Sequence, residues 1–395
     1  MSAEDMNIVI CGHVDHGKST LLGRLVHELG QVDRAAWAKA EAFIRDYGKT
    51  TTANVYSALV ARQTTEREQG RTFVPSHVRV RLGDRDLTIV DTPGSIEFKR
   101  GRVYGTFLAD VGVLVVAANR GPEAQTREAL LLLRGLGVPL GGVVISKMDL
   151  ADAPERANDI QRTVQALIDE SEVPTPACGV RWVAVSALRG PSLEPVVELL
   201  RGLEAVRRAA DGPLRFCVQG RQELFQVSGL GAVALGVVES GRLSVGDELA
   251  IEPASAEAGR LITARVRSLR LARGRNEPDG ADVREARPRD IVSVGLGRSW
   301  EDVVQLLSGG GVLSHTNSRP AVFSRLEAEI TVLKKTTGAH IGWTPYLLAH
   351  VMGAPCQLVD IQSVRTTYKD WTDDWRTDKS LVKECEEAKV VLQLE

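Results

Sequence analysis

One segment constrains this chain more than any other: Gly12-His-Val-Asp-His-Gly-Lys-Ser19, set between the apolar run Asn7–Cys11 and the amphipathic stretch Thr20–Leu29. The segment reads G-x-x-x-x-G-K-[ST], and a strand running into a helix is the context that pattern needs. The glycines allow backbone N–H groups to turn inward at a helix N-terminus, where they cradle phosphate. Lys18 can reach the β- and γ-phosphates, and the Ser19 hydroxyl can ligate Mg²⁺. Gly12, His13, Val14, Asp15, His16, Gly17, Lys18, Ser19 and Thr20 are therefore candidate nucleotide contacts. A chance glycine turn is the competing reading, and the flanking strand and helix weigh against it.

Three more segments gain meaning from the first. Asp91-Thr-Pro-Gly94 follows the apolar run Leu87–Val90. Asp91 can hold the Mg²⁺ shell, and the Gly94 N–H can approach a γ-phosphate with no side chain in the way. Alone this tetrapeptide would be read as a turn. Between the two phosphate-side segments lies the charged stretch Glu66-Arg-Glu-Gln-Gly-Arg-Thr72, in which Thr72 can add a hydroxyl to the metal when the γ-phosphate is present. A solvated loop is the alternative there. Ser146-Lys-Met-Asp149 and Ser186-Ala-Leu188 each follow an apolar strand-like run, Val143–Ile145 and Trp182–Val185. A carboxylate at Asp149 accepts from guanine N1–H and N2–H₂, donors that adenine does not offer together. The Lys147 stem can cover the purine face, and the Ser186/Ala187 backbone can donate to O6. The expected ligands are GTP and GDP with Mg²⁺.

The chain has 395 residues, which suggests two or three domains. Up to about residue 210, buried-strand runs alternate with amphipathic stretches such as Gln125–Leu136, the signature of a mostly parallel, doubly wound α/β sheet. Arg207-Arg-Ala-Ala-Asp-Gly-Pro213 reads as a helix end and a linker. Beyond it, short alternating segments broken by glycine, as in Ser228–Gly236 and Ser240–Asp247, predict β-barrels. The expected division is an α/β nucleotide-binding domain over 1–210, a barrel over 211–318 and a second, incomplete barrel-like domain over 319–395. An arginine-rich stretch (Arg273, Arg275, Arg284, Arg287, Arg289) reads as a solvated loop of the first barrel.

No apolar run is long enough to cross a bilayer, and the chain passes from a short acidic start directly into Ile8-Val-Ile10, so a cytoplasmic protein without a leader is expected. Five cysteines lie far apart and read as reduced thiols, mostly packing residues. A net charge of −2 argues against coating nucleic acid by bulk charge, so DNA is not an expected partner, while a local basic surface for RNA stays open.

With these residues in hand, the chain resembles the translational GTPases of the elongation factor Tu family, and also the GTPase subunit of sulfate adenylyltransferase. Carriers of the resemblance are Gly12–Thr20, Glu66–Gly70, Asp91–Gly94 and Gln125-Thr-Arg-Glu128, then Ser228–Gly236 in the second part and Ala339–Pro345 with His350 in the third. It implies a P-loop GTPase domain followed by two β-barrel-like domains, with Lys18, Thr72, Gly94 and Ser95 at the catalytic centre. It also implies a GTP state that binds aminoacyl-tRNA or a ribosome-associated partner. The alternatives are a regulatory GTPase subunit of a metabolic enzyme complex and a GTP-locked binding module. Several departures bear on this. Ser95 stands where the family carries a histidine that positions water, implying slow intrinsic hydrolysis. Arg71 replaces a small apolar gate and reads as a surface residue or an internal arginine finger. Ser146 replaces an asparagine, implying a lost tie between base loop and phosphate loop. The third segment is expected to stop short of closure, leaving an open edge after Leu394 for a partner protein to cover.

Overall fold

In the computed structural model, which describes residues 6–46, 52–60, 76–92, 99–150, 153–204, 212–218, 220–271, 282–332, 338–349, 352–366, 381–382 and 386–394, the apolar runs of the first half are strands of one sheet. Its strands are β1 (Met6–Cys11), β2 (Ser76–Leu82), β3 (Arg85–Asp91), β4 (Val111–Ala117), β5 (Leu140–Ser146) and β6 (Arg181–Ala184). They lie in the order β2-β3-β1-β4-β5-β6. All neighbours are parallel except β2, which returns antiparallel on β3.

Both faces of this sheet are covered. The helices are α1 (Lys18–Glu28), α2 (Arg34–Asp46), α3 (Thr52–Val60), α4 (Lys99–Phe107), α5 (Ala124–Gly135), α6 (Ala153–Ser171) and α7 (Glu194–Arg201). Alternation along β1 divides the core: Ile8 and Ile10 pack with Leu21, Leu22 and Leu25 of α1 and Val196, Val197 and Leu200 of α7. Val9 and Cys11 face Leu130 and Leu133 of α5 and Ile160, Val164 and Ile168 of α6. Strands buried on both faces leave few polar positions, which is why they read as nearly continuous apolar runs. The sequence reading did not anticipate α2, α3 or β2. Gly23 explains how α3 is seated, since a Cβ there would stand 1.9 Å from the Tyr56 carbonyl oxygen, a contact only glycine permits.

The second part is antiparallel. A nine-stranded sheet runs from Thr263–Arg265 through Glu248–Glu252, Gly311–His315, Arg215–Val218, Gly231–Ser240, Ile291–Gly295 and Ser268–Leu271 to Asp282–Val283, with Leu224–Val227 also paired to Gly231–Ser240. Helix Trp300–Leu307 buries Val303 and Leu307 in its core. Gly311 opens a strand of this sheet.

The first two parts share an apolar seam. Val90, Tyr104, Phe107 and Leu108 of the α/β domain pack against Cys217, Val237 and Ile291 of the barrel. Arg289 belongs to this seam, with a side chain only 12% exposed, so the reading of the arginine-rich stretch as solvated fails at this residue. Arg284 and Arg287 are exposed as expected, and Arg273 and Arg275 lie outside the described residues.

In the third part a four-stranded sheet has the order Arg325–Thr331, Glu386–Leu394, Met352–Thr366, Tyr346–Ala349. The expected open edge after Leu394 is corrected here: the last strand lies inside the sheet, paired with Arg325–Thr331 on one side and Met352–Thr366 on the other. Val390 and Leu392 then bury against Leu358 and Ile361. Among the described residues, the edges of this sheet are Arg325–Thr331 and Tyr346–Ala349. Among the described residues, no helix is long and apolar enough to cross a membrane.

Candidate functional site

Gly12 follows β1, Asp91 ends β3, Ser146 ends β5 and Ser186 follows β6, so the four motif segments emerge at the C-terminal ends of parallel strands. That edge is where open α/β sheets bind ligands. Hydrogen bonds between the segments show that they converge.

The turn from Gly12 to Gly17 has φ values of 135° at Gly12, 61° at Asp15 and 84° at Gly17. Gly12 lies so close to β4 that a Cβ would be 2.3 Å from the Val115 carbonyl oxygen. Val14 donates its N–H to Gln125 Oε1 at 3.0 Å, which ties the turn to the start of α5. Lys18 is buried, with Nζ donating to the Gly12 and His13 carbonyls at 3.0 and 2.8 Å. Burial pushes its pKa down, while Asp91 pulls it up. An arriving phosphate would supply stronger acceptors than these carbonyls.

Ser19 Oγ donates to Asp91 Oδ2 at 2.6 Å, and Asp91 is buried. A hydroxyl and a carboxylate side by side at the mouth of a phosphate loop fit a hard divalent cation such as Mg²⁺. The remaining oxygen ligand expected from the sequence, Thr72, lies outside the described residues, as do Gly94, Ser95 and Arg71. Thr20 sits half-buried in the first turn of α1.

The second pair of segments faces the first. Ser146 Oγ donates to the His16 carbonyl at 2.6 Å. The expected loss of a tie at this position is therefore corrected: a serine, shorter than asparagine, reaches the phosphate loop with its hydroxyl. Lys147 holds φ 60°, a left-handed conformation uncommon outside glycine, and its Cε lies 3.8 Å from where a Gly17 Cβ would be. Its stem thus runs beside the phosphate loop, half-buried, and burial lowers its pKa. Ser186 Oγ donates to Asp149 Oδ1 at 2.5 Å and accepts from the Leu188 and Arg189 N–H groups at 3.2 and 2.9 Å. This hydroxyl holds the Asp149 carboxylate on the Ser186–Leu188 turn; Ala187 is buried and Leu188 is exposed.

Glu123 was missed by the sequence reading. It is the N-cap of α5, where its carboxylate and the Thr126 hydroxyl form a reciprocal capping pair. The same carboxylate meets both phosphate-loop histidines, His13 Nε2 and His16 Nε2, each at 3.2 Å. His16 is fully buried, its other ring nitrogen 3.3 Å from the Val115 carbonyl oxygen. Burial drives its pKa down to about 4, a fall that Glu123 and Val115 oppose. Burial would raise the Glu123 carboxyl, but His16, His13 and Arg120 outweigh it and hold it below the ordinary range. The available signal was a Glu-x-x-Thr capping pattern directly before an amphipathic run.

A doubly wound sheet with a phosphate-binding turn after its first strand and two further loops tied to that turn defines a P-loop nucleotide-binding protein. Comparison with known proteins narrows the class. Residues 3–205 match the elongation factor Tu GTP binding domain family. Elongation factor 1-alpha of Metallosphaera sedula is 31% identical over 380 residues, covering 90% of this chain and 82% of its own length. That of Archaeoglobus fulgidus is 32% identical over 374 residues, with 91% and 82% covered. Among solved structures, translation elongation factor SelB from Methanococcus maripaludis, in complex with the GTP analogue GPPNHP, superposes with a TM-score of 0.65 at 19% identity, covering 100% of this chain and 73% of that one. The S. cerevisiae Ski7 GTPase-like domain, bound to GTP, gives 0.73 at 16% identity, covering 99% and 89%. The chain belongs to the elongation factor Tu family of translational GTPases. It is a GTP-binding, GTP-hydrolysing protein with a translation-factor architecture.

Proposed function

We propose that this GTPase is a switch that binds an aminoacyl-tRNA or a ribosome-associated partner in its GTP state and releases it on hydrolysis. The observation that carries this reading is the extent of the likeness to elongation factor 1-alpha, which runs through both β domains and not only through the nucleotide site. The proposed units are 1–210, 211–318 and 319–395, with the partner held across them in the cytoplasm.

In this reading Gly12–Thr20 wrap the phosphates, and Ser19, Thr72 and Asp91 would hold Mg²⁺, which would supply positive charge to offset that of the phosphates. Lys18 and the backbone N–H of Gly94 stabilise charge building on the transferred phosphoryl group. Asp149 selects guanine, Lys147 and Ser146 hold the base loop on the phosphate loop, and Ser186, Ala187 and Leu188 close over O6. Ser95, in the place of a water-positioning histidine, makes intrinsic turnover slow.

The test is affinity capture of the full chain loaded with a non-hydrolysable GTP analogue or with GDP, followed by identification of what is retained. Aminoacyl-tRNA held only in the GTP-analogue state is the expected result. A stoichiometric metabolic enzyme without RNA would overturn it in favour of a regulatory subunit.

A further inference from the structure

Arg24 lies on α1, the helix that Lys18 opens, and is only 9% exposed. Its guanidinium does not face the phosphates. Nη1 donates to the Ser186 carbonyl at 3.1 Å and Nη2 to the Gly190 carbonyl at 2.7 Å. Both acceptors belong to one tight turn: a Cβ on Gly190 would stand 2.7 Å from the Ser186 oxygen, so any side chain there would force the two carbonyls apart. A planar guanidinium fork holds such a pair in one geometry, which a flexible ammonium does not.

The far end of the same loop is held from the same helix. Glu28, one turn beyond Arg24, meets Arg24 Nε at 3.2 Å with one oxygen. Its other oxygen accepts from Ser192 Oγ at 2.6 Å and from the Leu193 N–H at 2.7 Å, where α7 begins. The phosphate-loop helix therefore grips the loop from 186 to 193 at both ends.

One consequence follows from covalent geometry. The Ser186 carbonyl and the Ala187 N–H belong to a single planar trans peptide, so they point in opposite directions. Anchoring the carbonyl on Arg24 turns the Ala187 N–H away from α1. Among the described residues this N–H has no acceptor, although Ala187 is buried. A main-chain donor on this turn with no protein acceptor is available to a ligand. The Ser186 hydroxyl, spent on Asp149, places that donor beside the carboxylate.

We propose that Arg24 is a positioning residue for guanine recognition, aiming the Ala187 N–H at the 6-oxo group while Glu28 steadies the loop. This rests on the reading of Ser186–Leu188 as the base loop. The helix that carries the phosphate-binding lysine also sets how the base is read, through contacts that never touch nucleotide.

The test uses the full chain and three nucleotides: GTP, 6-thio-GTP and ITP. 6-Thio-GTP replaces the 6-oxygen with a weak acceptor and keeps the N1–H and 2-amino donors; ITP keeps the oxygen and lacks the 2-amino group. Wild type should bind GTP more tightly than either analogue. Arg24→Ala should weaken GTP about tenfold, weaken 6-thio-GTP much less, and leave the GTP-to-ITP ratio unchanged. Arg24→Lys, whose ammonium reaches one carbonyl and not both, should lie between, and it serves if Arg24→Ala does not fold. Equal weakening of all three nucleotides, or no weakening, would overturn the proposal while leaving the base loop assigned. Wild-type indifference between GTP and 6-thio-GTP would instead remove the 6-oxo contact on which both readings stand.

Discussion

Arg289 of the barrel lies with Nε 3.0 Å from Oδ1 of Asp110, a carboxylate of the α/β domain with no exposure to solvent. Asn7 completes the joint. Its N–H donates to Asp110 Oδ2 at 2.9 Å, and its side-chain amide donates to the Arg289 carbonyl at the same distance. Arg289 holds φ 84°, and its own N–H is taken by the Val238 carbonyl at 2.8 Å. The pair joins the same two parts as the apolar seam of Tyr104, Phe107, Val237 and Ile291.

Removing one partner of a buried ion pair strands the other, at a cost of about 3 kcal/mol or more. Arg289→Ala should therefore lower the chemical-unfolding midpoint of the full chain clearly. Adding Asp110→Asn should recover part of that loss, because the stranded charge is gone. A double variant as unstable as the sum of its two singles would show that the residues act independently.

Lys18→Ala should weaken GTP binding by about a hundredfold or more, since the charge that replaces solvent around the phosphates is lost. Fluorescence titration with labelled GTP, beside a melting curve that shows an intact fold, reads this directly. Near-normal affinity would place the triphosphate elsewhere.

Ser146→Ala deletes the 2.6 Å bond to the His16 carbonyl. GTP and GDP should both bind roughly fivefold more weakly, the equivalent of about 1 kcal/mol. Ser146→Asn supplies a polar reach of its own and should lose less. Identical affinities for all three forms would mean that the tie does nothing for the nucleotide.

Ser95→His should raise the single-turnover rate of GTP hydrolysis on the order of a hundredfold, if water positioning is what limits it. An unchanged rate would move the limit to another step.

The Glu28 carboxyl is exposed to two opposing influences. Burial alone would raise its pKa, but the Ser192 hydroxyl, the Leu193 N–H and Arg24 outweigh it and hold the value below the ordinary one. The unfolded chain then takes up the proton first as pH falls. Its contribution to stability is complete above the unfolded value of about 4.3 and is lost as the pH drops through the lowered native value. Glu28→Gln should accordingly flatten the decline in urea midpoint below about pH 5. An acid limb of unchanged slope would show that Glu28 carries none of it.

The phosphate turn, the segment ending at Asp91 and the loops at Asp149 and Ser186 could be read from residues 1–395 because each is a short run whose backbone preference is local: glycine where φ is positive, an apolar strand before it, a helix after it. The alternating sheet and the change to antiparallel structure were legible for the same reason, since a period of two or an unbroken apolar run is written in neighbouring residues. What could not be read is who meets whom. Ser146 and His16 are 130 residues apart, Arg24 and Ser186 are 162 apart, and Asn7 and Arg289 are 282 apart. No periodicity encodes such pairs; they exist because strand order brings separate loops to one sheet edge and one seam. The same cause put the last strand inside its sheet, where adjacency in space, and not position at the chain end, settles which edges are paired.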